Sequence, residues 1–214
     1  ANSLAELAES VGADWREIEP ALREDRRIGQ QSYISPGLGI GGANLARDLL
    51  GIQVMAEARG VNASFVRALL EHSDHMRQWT MRVVTRLRQE QSFERLGILG
   101  LAYKPGTTSI RGGAGQVLVE ALESAMDLLV HDPKASLPAR PADSRAAIAN
   151  SVEQILTECD VVIVATPWPE YAPYLRESFS SDLGPIVVDP YRQVNRSLAR
   201  DSGPRLVQLG VTGE

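Results

Sequence analysis

Five short, predominantly apolar runs constrain this chain more than any other feature: residues 96–101, 128–130, 161–165, 186–188 and 206–209. Between them lie stretches with helical spacing, at 116–124, 151–158 and 170–177. A strand that is apolar on both sides must be covered on both sides, and helices between such strands allow parallel pairing through crossovers. The pattern predicts an α/β fold, a doubly wound parallel sheet over residues 91–214. Sheets of that kind take ligands at the carboxyl ends of their strands.

Residues 1–90 read differently, as a helical domain. Leu4, Leu7, Ala8 and Val11 recur at helical spacing from the first residues, with no Met before them. We expect from this that the chain was cut from a longer protein inside a helix. Gly12 suits the C′ position of that helix, and Asp14 with Glu17 suits a capping box for the next, whose buried face would be Ile18, Ala21 and Leu22. Residues 26–42 are a loop by their Gly, Pro and Ser content. A helix is expected over about 43–59. A long one follows from Asn62, carried by the stripe Phe65, Leu69, Met76, Trp79, Val83 and Leu87. That stripe suits packing against another helix, and a helix so long suits a homodimer.

Composition excludes several classes. The formal net charge of −5 argues against general nucleic-acid binding. No apolar run approaches the roughly 20 residues of a membrane span, and residues 1–10 lack the apolar segment of a signal peptide. The single cysteine, Cys159, rules out a disulfide within the chain, and no zinc-ligand spacing occurs, so a reducing cytoplasm fits. Cys159 precedes an apolar strand and reads as a small buried residue rather than a nucleophile. His72, His75 and His131 form no Ser-His-Asp or metal pattern.

Four segments carry potential chemistry. PGLGIGGANLARD at 36–48 sets four glycines ahead of a helix, where backbone N–H groups can approach an anion; a flexible loop has the same composition. GILGLAYKPGT at 97–107 is a strand followed by a turn that carries Lys104, with Arg111 beyond it. Its glycines do not give the G-x-G-x-x-G dinucleotide spacing. Asp132 suits either a ribose hydroxyl or a plain Asp-Pro turn. DVVIVATPW at 160–168 places Thr166 and Trp168 after a buried strand, for a ligand or for capping the sheet. VVDPYR at 187–192 ends in Arg192. Each cation alone fits a solvated surface charge. Lys104, Arg111 and Arg192 together, at strand ends of one sheet, suit an anionic ligand.

In this order the segments resemble the UDP-glucose/GDP-mannose dehydrogenase family, through its central helical and C-terminal domains. GLAYKPGT at 100–107, TPW at 166–168 and RIG at 27–29 ahead of the glycine loop carry the resemblance. It implies a helical, dimerising central domain followed by a Rossmann-like domain that binds a nucleotide-diphosphate sugar. It also implies NAD as cofactor, on an N-terminal domain that would precede Ala1. Such enzymes oxidise the sugar C6 alcohol to a carboxylate in two hydride transfers, through a cysteine-bound thiohemiacetal and thioester. The second oxidation needs a nucleophile to turn the aldehyde carbon into a hydride donor.

By resemblance, Arg27 reaches the sugar of the neighbouring subunit, and Tyr33, Gly39, Gly41 and Gly42 join the substrate contacts. Tyr103 and Lys104 form the aromatic–lysine pair at the substrate, Arg111 contacts NAD, Arg192 is the late substrate arginine, and Asp48 assists the catalytic water. The sequence also departs from the family. Asn44 takes the place of the catalytic cysteine, with Ala43, Ala46 and Arg47 altered around it. Thr108-Ser109 replaces an acidic pair, Gly112-Gly113 replaces Glu-Ser, and the turn ending in Arg192 is one residue longer than usual. A single designed knockout would not account for so many changes. An amide is no nucleophile at neutral pH, so the expectation is oxidation without a thioester, with this chain inactive alone. The alternative is a non-oxidative relative that binds a nucleotide sugar in a regulatory or assembly role.

Overall fold

The structure is a computed structural model and describes residues 1–180, 183–198 and 203–211. Six strands form one parallel sheet: β1 (Arg95–Leu99), β2 (Asp127–His131), β3 (Ala146–Ile148), β4 (Val161–Val164), β5 (Ile186–Val188) and β6 (Leu206–Val207). Their order is β3-β2-β1-β4-β5-β6, with Leu96 in register with both Leu128 and Val161. The chain reverses direction across the sheet between β1 and β4, the switch point where a doubly wound sheet opens a crevice. The five expected strands are present. β3 is an addition: a three-residue, mostly exposed edge strand whose Ala-Ala-Ile is short and rich in alanine, a residue depleted in strands.

Both faces of the sheet are covered, as apolar strands require. On one face α5 (Trp79–Glu90) and α6 (Ala114–Leu122) bury Val83, Val84, Leu87, Leu118 and Val119. On the other, α7 (Val152–Glu158) and α8 (Tyr171–Ser178) bury Val152, Ile155, Tyr171 and Leu175. Gly97 lets α7 approach: a Cβ there would lie 2.4 Å from the Ile155 side chain.

The helical half begins with α1 (Asn2–Ser10) and α2 (Trp15–Arg23). Asp14 caps α2 by accepting the Arg16 N–H. The buried face of α2 differs from expectation. Trp15 is its one buried residue, Ile18 and Leu22 are half-buried, and Ala21 is exposed. The reason is that α2 docks by its first turn: the Trp15 N–H donates to the Gly210 carbonyl, and Asp14 bridges to Val211.

The expected long helix is two helices, α4 (Ser64–Arg77) and α5, with Gln78 as a turn between them. The Gln78 N–H bonds the His75 carbonyl three residues back. A three-residue step keeps Met76 and Trp79 on one stripe, so the periodicity runs through the break. Asn62 lies just outside α4 and accepts the Ser64 N–H. Ahead of α4, α3 (Asn44–Ala58) has no buried residue at all.

Candidate functional site

The glycine segment and the lysine turn meet at the carboxyl end of β1. The segment is anchored in steps. The Gly37 N–H donates to Asn2 Oδ1 at 3.0 Å, and the Leu38 side chain enters the core. The Ile40 N–H donates to Ser73 Oγ at 2.8 Å. Gly39, at φ +80°, rests on the Ser73 carbonyl, where a Cβ would come within 2.5 Å. Gly42, at φ +78°, lies on the ring of Tyr103, whose Cε2 would be 2.8 Å from a Cβ. These two glycines are required by close approach as well as by backbone conformation.

The lysine turn is held by the Tyr103 N–H on the Ser109 carbonyl and the Ser109 N–H on Thr107 Oγ1. Behind it, Thr166 donates to the Ala102 carbonyl at 2.5 Å, packing the end of β4 against the turn. Lys104 lies 5.5 Å from the Tyr103 ring centroid, a cation over an aromatic face.

Between the two segments is an open cleft of about 520 Å³. Its walls are residues 41–45 on one side and Tyr103, Thr107, Ser109 and Arg111 on the other, with no carboxylate among them. Gly41, Gly42, Asn44, Tyr103 and Arg111 are therefore brought together. Asn44 is the exposed first residue of α3. Asp48, four residues on, occupies the same face of that helix and accepts from Arg47 at 2.9 Å.

Other expected residues stand elsewhere. Arg27 is exposed and paired at 2.5 Å with Asp25, whose carboxyl it holds below the usual range. Tyr33 projects fully into solvent. Arg192 is half-buried, and burial lowers its pKa. Its guanidinium donates to the Leu209 carbonyl at 3.2 Å and the Pro36 carbonyl at 3.3 Å.

Asp132 resolves as a structural turn. Its carboxylate accepts the N–H groups of Leu101, Ala102, Lys134 and Ala135, and Trp168 Nε1. These bonds hold its pKa low despite burial, and they leave little capacity for a ribose hydroxyl. Trp168 is buried against the sheet in the same network. Cys159 is buried at the opposite, amino end of β4, and desolvation pushes its thiol up to about 12. Among the described residues no group of three metal-ligating side chains occurs, and no helix is long and apolar enough to cross a membrane.

Ser73 and Tyr191 were missed by sequence reasoning. Ser73 had a signal: a polar residue on the apolar stripe between Leu69 and Met76, buried because it serves the glycine segment. Tyr191 had none beyond its neighbour Arg192.

Comparison with known proteins agrees with this geometry. The profile of the UDP-glucose/GDP-mannose dehydrogenase family, UDP binding domain, matches residues 97–196, and that of the same family's central domain matches residues 1–75. The UDP-glucose 6-dehydrogenase AglM of Haloferax volcanii is 32% identical over 197 residues, covering 92% of this chain and 45% of the relative. The putative UDP-glucose 6-dehydrogenase YtcA of Bacillus subtilis is 25% identical, covering 98% and 49%. The chain spans about half the length of the curated relatives it matches. Among solved structures, a UDP-glucose dehydrogenase from the hyperthermophilic archaeon Pyrobaculum islandicum superposes with TM-score 0.81 at 25% identity, over 98% of this chain and 46% of that one. A GDP-mannose dehydrogenase ternary complex shares the fold at TM-score 0.65 and 17% identity, over 97% and 48%. With two profiles of one family matched in order and a relative 32% identical over a stretch covering 92% of this chain, the chain belongs to the UDP-glucose/GDP-mannose dehydrogenase family.

Proposed function

We propose that this chain is the substrate-binding part of an NAD-dependent nucleotide-sugar 6-dehydrogenase that works without a thioester. The observation that carries the reading is the convergence of Gly41, Gly42, Asn44, Tyr103 and Arg111 on one cleft at the carboxyl end of β1. Backbone N–H groups at the start of α3, with the exposed Lys104 ammonium on the Tyr103 ring beside the cleft, suit the diphosphate of a nucleotide sugar.

This sheet does not fit a whole dinucleotide. The turn after β1 lacks the glycine fingerprint, and the carboxylate after β2 is spent on five protein donors. Arg111, exposed at the cleft, fits a single contact to NAD held by another domain. Bound there, NAD would accept the hydride from the sugar carbon. Within the cleft Asn44 can orient an oxygen by hydrogen bonds but cannot add to a carbonyl. Asp48, one turn along, is the carboxylate available to take a proton from the C6 hydroxyl or from a hydrated aldehyde. Cys159 cannot substitute for a missing nucleophile, being buried beyond the far end of the strand.

The absence of sulfur from the lining also favours a second reading, a non-oxidative protein that only binds the nucleotide sugar. NADH formed per sugar by the full parent protein separates them: two equivalents for an acid, one for an aldehyde, none for a binding protein. The exposed apolar face of α3 and α4 and the outward Arg27 and Tyr33 support a homodimer in which these two residues serve the partner's cleft.

A further inference from the structure

The segment that carries Asn44 is gripped at its base by a turn on the far edge of the sheet. Arg192 sits at φ 57°, the one non-glycine residue in the left-handed region among those described. That conformation aims its side chain across the ends of β5 and β6: Nη1 donates to the Leu209 carbonyl and, at 3.4 Å, to the Pro190 carbonyl of its own turn, and Nη2 donates to the Pro36 carbonyl on the glycine segment. Tyr191 stands beside it. Its ring lies under Gly37, where a Cβ would come 3.3 Å from Cε1, and its hydroxyl donates to the Ala165 carbonyl at the end of β4. Beneath both, the fully buried Asp189 closes the turn, accepting the Val194 N–H at 2.8 Å and Gln208 Nε2 at 3.2 Å.

We propose that residues 189–192 form a latch, in which Arg192 and Tyr191 are positioning residues that fix the glycine segment, and with it the start of α3, against the sheet. Arg192 acts through Pro36 rather than on a ligand. Its planar fork sends Nη1 to one element's carbonyl and Nη2 to the other's, a fixed spacing that the single nitrogen of an ammonium does not reproduce. The other hydrogen-bonded anchors, Asn2 and Ser73, both belong to helices of the amino-terminal half, and Leu38 and Gly42 meet the sheet half by packing alone, so Arg192 ties the segment by hydrogen bond to the β5–β6 edge. The assignment concerns the cleft of the proposed function but does not depend on its ligand.

Hydrogen exchange of the 214-residue chain, read by mass spectrometry, tests it. In Arg192→Met, amides 37–44 should exchange about tenfold faster while those of β1 and β4 keep their protection. Arg192→Lys, which keeps the charge but loses the two-nitrogen fork, should fall between. Tyr191→Ala should loosen the same residues with the guanidinium intact. Unchanged exchange at 37–44 in Arg192→Met and Tyr191→Ala overturns the latch. So does a rise spread equally over the strands in Arg192→Lys, which would make the turn merely part of the core. UDP binding by the unaltered chain, measured alongside, tests the proposed function separately.

Discussion

The sheet and the α3–α4 hairpin both carry large apolar side chains, which end in opposite states. Leu96, Ile98, Val161, Val162, Ile163 and Val164 are completely buried within two helical layers. In the hairpin, Leu50, Ile52, Val54 and Met55 of α3 and Phe65 of α4 lie exposed, and α3 buries nothing. A soluble surface rarely carries so many large apolar side chains together without a protein to cover them. The sheet half thus holds the apolar contacts of a self-sufficient core, while the hairpin is a surface looking for its other side. The cleft lies where these two parts meet, so its shape depends on both.

The largest effects should separate the two regions. Ile163→Ala removes a fully buried side chain and should destabilise the chain by about 2–5 kcal/mol in denaturant unfolding. Phe65→Ala, on the hairpin, should change the unfolding of the isolated chain by no more than about 0.5 kcal/mol. A large loss in Phe65→Ala would show that the hairpin packs within its own chain, and the comparison would break. If the homodimer is correct, Val54→Asp with Phe65→Asp should yield monomers in sedimentation while leaving sheet protection intact.

Next in size is ligand binding. UDP at about a hundred times its dissociation constant should stabilise the chain by roughly 2.7 kcal/mol, seen as a rise in melting temperature. GDP and dTDP measured beside it name the base. A rise with none of them would remove support for a nucleotide-sugar cleft. The catalytic side is read in the full parent protein: if it stops at the aldehyde, with one NADH per sugar, Asn44→Cys should restore a nucleophile and raise the yield to two. A parent that makes two equivalents would place the second oxidation on the hydrated aldehyde, and a covalent sugar adduct trapped on the protein during turnover would sink the route without a thioester.

Much of the sheet was legible because its strands are buried on both faces and therefore continuously apolar. β3 was not, because Ala146, Ala147 and Ile148 make a short, mostly exposed edge strand in which alanine, a weak strand former, predominates. The break at Gln78 was hidden for a different reason: the turn preserves the stripe, and no Gly or Pro marks it. In the site, Gly39 and Gly42 stood out because close approach and positive φ both demand glycine. The partners that demand them, Ser73 and Tyr103, are 34 and 61 residues away, where only the fold brings them near. Asp132 could be read two ways from sequence. Counting its donors decides for the turn.

The smallest effect expected tests whether the sheet's margin depends on charge as well as on apolar packing. The long connection between β2 and β3 is tied down by Glu123, which accepts from Arg140 and from Ser144 Oγ. The Arg140 guanidinium, and then the Ser144 hydroxyl, hold the Glu123 carboxyl down at about 2, against an ordinary 4.5. A depressed carboxyl contributes stability that is fully present above its unfolded value and is lost as pH falls through its folded one. The melting temperature should therefore fall between about pH 4.5 and pH 2, and in Arg140→Met that part of the slope should be missing. The hairpin should not feel the change, since none of its residues touches this pair. An equal acid slope in Arg140→Met would mean that other carboxylates set the acid limit.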